Sequence, residues 1–299
     1  MSTRLRAATR GSALALWQTR HVASLLGREL EEVVVSTVGD RELNVPIHTM
    51  GGKGVFVKEV QAALLDGRAD IAVHSGKDLP ARTPPELTLV AVPTRADARD
   101  ALIGSTWDAL PTGARVATGS VRRRAQLAWH RPDLVFSELR GNIQTRLEKL
   151  ASGGFDAIVM AAAALDRLEL ALDAEVDRLD PSIMVPQVAQ GALAIECRAD
   201  DTATIEALQA IQDPATRRVV DAERAFLDEL GGDCDLPAGA HAVLDRDGTI
   251  GIVGMLSSLD GRILIRERRR GDDPDVLGRG VARFLLDERG GTDLLADTR

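Results

Sequence analysis

Apolar positions in the first third of the chain fall into two periods. Residues 4–9 and 32–38 are short strand-like runs. Between them Ser12 opens a helical segment to about Gly27, with Leu14, Trp17, Val22 and Leu25 on its inner face. Residues 39–52 (GDRELNVPIHTMGG) lack periodicity and carry Gly, Pro and Asn, so a loop is expected. A helix over 54–65 and a buried strand over 70–74 follow. The βαβα order predicts an α/β layer on a largely parallel sheet.

The pattern then repeats in kind. Short strands are expected at 101–104, 115–117, 134–137 and 157–160. Ser120 opens a helix to about His130, Asn142 caps one over 143–152, and another covers 161–170. The run GALAIEC at 191–197 reads as one more buried strand, placed to return to the first sheet. Helices near 202–211 and 215–230 precede a tail with strands near 239–245, 249–256 and 262–269 and a helix near 273–288. That tail is a smaller α+β domain, and no internal repeat or low-complexity segment is visible.

Composition narrows the class. The chain of 299 residues is 44% hydrophobic and 27% charged, the balance of a folded multidomain protein with a sizeable core. No apolar run is long enough to cross a membrane, and the first residues lack a signal-peptide core, so a cytoplasmic protein is expected. The two cysteines, Cys197 and Cys234, form no CxxC pattern, and the five histidines have no metal-ligand spacing. Neither a disulfide framework nor a metal site is expected.

Charge changes the picture more. The net charge of −8 argues against general nucleic-acid binding, yet Arg115 to Arg146 holds seven arginines against two acids. Such an island points to an anion pocket. Lysine is rare: of Lys53, Lys58, Lys77 and Lys149, three lie within residues 53–77. Lys53 and Lys77 are therefore candidates for a compact ammonium that arginine does not replace. MGGKGVF lacks the Walker spacing, because Ile47 and Gly54 stand where Gly and Ser/Thr are needed. It is read instead as a glycine-rich flap carrying Lys53, which is counted among substrate contacts.

Three helix starts add to the island: TRGSALALW (Arg10, Ser12), TGSVRRRAQL (Ser120, Arg122, Arg123) and LRGNIQTRL (Arg140, Asn142, Arg146). Helix N-termini present free N–H groups and arginine adds bidentate donors, so together with Lys77 they favour a polyanion site over ordinary caps. RERRR at 266–270 reads as a solvated strand face, and Trp17, Trp107 and Trp129 as packing residues. Cys234, in the turn LGGDCDLPAG, is a candidate attachment point or nucleophile.

Together RAATRGSALALWQ, GGKGVFVKE, ADIAVHSGKDLP, TGSVRRRAQL, LRGNIQTRL, ALDRLEL, QGALAIECR and the turn around Cys234 resemble the porphobilinogen deaminase (hydroxymethylbilane synthase) family. They appear in the family's order across residues 4–239. The resemblance implies two periplasmic-binding-protein-like α/β domains around a cleft, residues 1–93 with 190–211 and residues 96–186. It also implies a small α+β domain, 214–299, carrying a dipyrromethane cofactor on Cys234. It implies a monomeric transferase that condenses four porphobilinogen units with loss of ammonia and hydrolyses the product free, without nucleic-acid or membrane partners. Asp78 matches the catalytic aspartate. Lys77, Ser120, Arg122, Arg123 and Arg146 would hold cofactor carboxylates. Arg10, Arg140 and Arg167 would hold the incoming unit or growing polypyrrole, with Ser12, Ser75 and Gln190 as further contacts. Gly76 is expected to give a sharp turn.

Some positions depart from the family pattern. Gly76 replaces a larger residue, Gly119 a serine, and Ala164, Ala189 and Ala194 stand where glycines are common. Asp233 and Asp235 flank Cys234 and would disfavour its thiolate. The competing readings are a non-catalytic binder of a small polycarboxylate and, more remotely, an RNA-binding module using Arg122 to Arg124.

Overall fold

The computed structural model describes residues 4–41, 56–232 and 236–296. Lys53, Cys234 and the two acids beside it lie outside the described residues. The chain divides into two compact units, residues 1–96 with 191–217 and residues 97–190 with 218–299.

The first unit runs β1 (Leu5–Arg10), α1 (Ala13–Leu25), β2 (Leu30–Val35), α2 (Val38–Arg41), α3 (Lys58–Leu65), β3 (Ile71–Ser75) and β4 (Leu87–Ala91). A 3₁₀ turn at Gly76–Asp78 follows β3. In the second unit, β5 (Asp100–Ile103), β6 (Arg115–Ala117), α4 (Val121–His130), β7 (Val135–Ser137), α5 (Ile143–Ala151), β8 (Ala157–Ala161), α6 (Ala162–Arg167) and β9 (Val176–Arg178) come next. The chain returns to the first unit through β10 (Leu193–Arg198) and α7 (Thr202–Gln209), and α8 (Pro214–Glu229) leaves it again. The tail is β11 (Ala238–Leu244), β12 (Ile250–Ser257), β13 (Leu264–Gly271), α9 (Pro274–Glu288) and α10 (Gly291–Ala296).

The first sheet has the order β2-β1-β3-β10-β4. Strand β1 is parallel to β2 and β3, but β10 is antiparallel to both β3 and β4. GALAIEC does return to this sheet, and the sheet is mixed rather than largely parallel. The second sheet, β7-β6-β8-β5-β9, repeats the scheme: β6 is parallel to β7 and β8, and β5 is antiparallel to β8 and β9. Both sheets are covered on both faces, so alternate residues of one strand feed two cores. Ala7, Ile71 and Val73 pack with Val22 of α1 and Leu208 of α7, whereas Ala8 and Ala72 pack with Val60 and Leu64 of α3. Burial on both faces is why these strands read as continuous apolar runs.

Helix α1 turns a different face inward than its large apolar residues indicated. Ala15, Gln18, Thr19 and Val22 are buried, and Leu25 is exposed. The polar pair can go inside because Thr19 Oγ1 donates to the Ala15 carbonyl at 3.2 Å and Gln18 Nε2 donates to Ser75 Oγ at 3.5 Å. Trp17 stacks on His21 at 4.9 Å and Trp107 packs against the second core, but Trp129 is exposed.

The tail sheet is an antiparallel meander, β11-β12-β13, in the second unit. RERRR is less solvated than expected. Arg266 is half-buried and donates to the Ser182 and Ile183 carbonyls, Arg269 lies 4.7 Å over the Phe284 ring, and Arg270 pairs with Asp245 at 2.6 Å. Of the four arginines, Arg268 and Arg270 are exposed as the solvated reading expects, and Arg266 and Arg269 are half-buried.

Helix α6 stops at Arg167, three residues short of expectation. Glu169 adopts φ 47°, its N–H donates to the Asp166 carbonyl at 3.2 Å, and the Leu170 N–H reaches the Leu165 carbonyl at 3.4 Å. Leu165 and Leu170 share one apolar cluster. This is a Schellman ending, with glutamate where glycine is usual, so the composition gave no stop signal. The exposed Glu169 loses no packing on substitution. Glu169→Gly is expected to stabilise the protein by about 0.5–1 kcal/mol in urea denaturation, as relief of left-handed strain outweighs glycine's added chain entropy.

Candidate functional site

In each unit the candidate residues follow parallel strands, which end at one edge of the sheet. In the first unit, Arg10 ends β1 and Ser12 caps α1, while Ser75, Lys77 and Asp78 follow β3. In the second, Ser120 follows β6, Arg140 and Asn142 follow β7, and α6 with Arg167 follows β8. Topology alone therefore brings each unit's candidates to one edge.

Asp78 closes the 3₁₀ turn and is half-buried. Among the described residues its carboxylate makes no hydrogen bond or ion pair. Gly76 is buried, and its N–H donates to the Ala192 carbonyl at 2.9 Å. It does not occupy the left-handed region, so the sharp turn there needs no glycine conformation and the sequence expectation is corrected. The next side chain, Leu79, is buried with Val57, Ala194 and Leu89. Arg10 is committed locally. Its guanidinium forms an ion pair with Asp40 and lies 4.2 Å from the Phe56 ring centre. Burial works to raise the Asp40 carboxyl, but hydrogen bonds from Arg10 and Thr37 outweigh it and lower it.

The three helix caps form as read. Ser12 Oγ accepts from the Ala15 N–H at 3.3 Å, Ser120 Oγ from the Arg123 N–H at 3.4 Å, and Asn142 Oδ1 from the Thr145 N–H at 2.9 Å. Each serine hydroxyl keeps its own hydrogen to donate. At RGN, Gly141 has φ 113°, and an added Cβ would lie 2.8 Å from Thr145 Cγ2, so this turn does require glycine. A side chain at Gly119 would meet the Leu139 carbonyl at 2.8 Å, so the missing serine is a matter of space as well as chemistry.

Arg122 and Arg123 lie deeper than a solvated cluster. Arg122 is 1% exposed. Its Nη1 donates to Asp100 Oδ2 at 2.8 Å and to the Val185 carbonyl at 2.6 Å, and its Nε to Gln187 Oε1 at 3.2 Å. Arg123 Nε donates to Asp100 Oδ1 at 2.9 Å and Nη1 to the Val159 carbonyl at 3.0 Å. Gln190 Nε2 completes the shell, donating to the same Oδ1 at 3.0 Å. Burial works to raise the Asp100 carboxyl, but the charges of Arg122 and Arg123 overcome it and hold it down to about 2. Two cations against one anion leave a net positive charge.

Arg140 and Arg146 have no such carboxylate partner among the described residues. Arg146 Nε donates to the Gly141 carbonyl at 2.8 Å. Burial, then the charges of Arg123 and Arg140, pull its guanidinium down to about 10. Arg140 Nη2 is buried and makes no hydrogen bond among the described residues. Burial likewise draws Arg167, 7% exposed, down to about 10, against the pull of Asp166. All remain cationic at neutral pH.

A family model described as "Porphobilinogen deaminase, dipyromethane cofactor binding domain" matches residues 5–206, and one described as "Porphobilinogen deaminase, C-terminal domain" matches residues 218–287. The chain belongs to the porphobilinogen deaminase family. It is 46% identical over 300 residues to a porphobilinogen deaminase of Brevibacillus brevis, covering 97% of this chain and 96% of that one. It is 45% identical over 306 residues to the enzyme of Roseiflexus castenholzii, covering 99% and 100%. Among solved structures, an ancestral cationic amino acid solute-binding protein has TM-score 0.42 at 16% identity, covering 69% of this chain and 86% of that one.

The second unit of this porphobilinogen deaminase family member fits a group bearing carboxylates. It holds a buried guanidinium nitrogen without a hydrogen bond, and a second arginine destabilised by its cationic neighbours. An anion there relieves both. Cys197, by contrast, is buried in β10, where burial and then Asp201 push its thiol up to about 11, unsuited to attachment.

Asp100 and Glu196 are the residues that the sequence reading missed. Each is a single acid in an otherwise apolar strand (DALI and LAIEC), which is itself a signal of a buried, partnered carboxylate. Asp100's contribution to stability is complete above its unfolded pKa of about 3.9 and is lost as pH falls toward about 2. Asp100→Asn is expected to cost about 3–5 kcal/mol at pH 7, because Arg122 and Arg123 lose their anion. The variant should also show a shallower loss of stability than wild type between pH 4 and 3 in denaturant titrations.

Proposed function

We propose that this protein joins four porphobilinogen units head to tail, releases ammonia at each addition, and hydrolyses the chain free as hydroxymethylbilane. The dipyrromethane on Cys234, when bound, supplies the primer whose free pyrrole carbon is the first nucleophile. Family membership over nearly the whole chain carries this reading.

At each addition the aminomethyl C–N bond of porphobilinogen breaks and leaves a delocalised cation. Asp78 accepts the pyrrole N–H and stabilises that charge, which its uncommitted carboxylate is suited to do. The same oxygens carry protons to the departing amine and from the ring carbon that forms the new bond. Lys77, Ser120, Arg123 and Arg146 hold carboxylates of the cofactor, and Arg122 adds charge through the Asp100 cluster. Arg10, Arg140 and Arg167 serve the incoming unit and the lengthening chain, with Ser12, Lys53, Ser75 and Gln190 as further contacts. Residues 214–299 act as the cysteine-bearing third domain. The reading places the enzyme in the cytoplasm as a monomer, without metal, nucleic-acid or membrane partners.

Two measurements test this. Intact mass of freshly purified protein should exceed the chain mass by one dipyrromethane and return to it in Cys234→Ser. An unmodified wild-type chain that still binds polycarboxylates tightly would favour a binding protein instead. Asp78→Asn should keep the fold and the cofactor mass yet lose at least about a hundredfold in porphobilinogen consumption, the scale of a charge-stabilising group. Near-normal turnover in that variant would refute the role of Asp78.

A further inference from the structure

The loop that carries Asp78 leaves β3 at Ser75 and re-enters the sheet at β4, and one buried carboxylate lies against the end of β3 and accepts a hydrogen bond from the loop beyond Asp78. Glu196, fully buried on β10, lies in register between Ala72 of β3 and Leu89 of β4, beside an irregularity in the β10–β4 pairing. Its Oε2 is 3.2 Å from Nε2 of His74, the penultimate residue of β3. Its Oε1 accepts from Thr83 Oγ1 at 3.2 Å, on the far side of the loop. Gln61 Nε2, on α3, donates to Oε2 at 2.9 Å. The buried Leu79 and the Gly76 N–H bond to Ala192 leave little freedom for the two residues between them, Lys77 and Asp78.

A carboxylate in such a core gives no stability that an apolar residue of equal volume could not match. What it adds is direction, since its oxygens fix where each donor sits. We propose that Glu196 is a positioning residue for Asp78, which ties the loop beyond Asp78 to β10 so that the catalytic carboxylate is preset. This rests on the role of Asp78 given above. Glu196 does not touch the substrate. It acts through the Thr83 hydrogen bond, which can be removed with little disturbance because Thr83 is only half-buried.

The experiment uses the cofactor-loaded enzyme and five variants: Glu196→Gln, Thr83→Val, Thr83→Ser, the double variant Glu196→Gln/Thr83→Val, and Asp78→Asn. Thr83→Val should lower kcat about tenfold with KM for porphobilinogen, cofactor mass and melting unchanged, and Glu196→Gln should lower kcat by up to about a hundredfold, as a misplaced catalytic group does. Thr83→Ser, which keeps the hydroxyl, should restore the rate. The double variant should be no slower than Glu196→Gln alone, since Thr83 acts through Glu196. Normal kcat in Thr83→Val and Glu196→Gln, beside a crippled Asp78→Asn, overturns the positioning role alone. Equal losses in Thr83→Val and Thr83→Ser also overturn it. A retained rate in Asp78→Asn overturns the assignment of Asp78 and this inference with it. If Glu196→Gln does not accumulate, the Thr83 pair decides the outcome.

Discussion

A guanidinium taken out of water must be given an anion or left at a cost, and the second unit does both. Arg122 and Arg123 share the fully buried Asp100, whose carboxyl they hold down to about 2. Arg140 and Arg146 receive no such partner among the described residues, and Arg146 is pulled down toward 10 by burial and its cationic neighbours. The difference separates structural arginines from those with donors to spare. An unbalanced cation near a sheet edge stores electrostatic free energy that an arriving carboxylate releases.

The first unit solves the complementary problem of presenting a carboxylate. Asp78 needs an environment that fixes its position without consuming its oxygens. A 3₁₀ turn held by backbone bonds and by the hydrogen bond from Thr83 to Glu196 does this, while the side chain itself stays half in solvent. The acids of this protein therefore divide as its arginines do. Asp100 and Glu196 are buried and satisfied, and Asp78 is partly exposed and uncommitted.

Both units use one scheme. Two parallel pairings carry the candidate loops to one edge, and an antiparallel strand from a distant part of the sequence completes the sheet, β10 in the first and β5 in the second. No repeat in the sequence betrays this, because the shared feature is the order of pairing and not the residues that pair. Strand β10 illustrates the consequence: its apolar run shows that it is buried, but its direction depends on a partner more than a hundred residues away.

Local chemistry was legible from the chain alone. The caps at Ser12, Ser120 and Asn142 depend on residues three positions away, and the family's motifs, with their candidate acid and bases, could be read in order. What was not legible depended on distance. The inward face of α1 is set by Gln18 finding Ser75, the end of α6 by a glutamate held in a left-handed turn, and the fate of RERRR by carbonyls at Ser182 and Ile183. Above all, sequence counts charges while folding assigns them partners. Coulomb and desolvation energies depend on separation and burial, so only the tertiary structure could decide that Asp100 pairs with Arg122 and Arg123 and Asp133 with Arg131, while Arg140 and Arg146 have no carboxylate partner among the described residues.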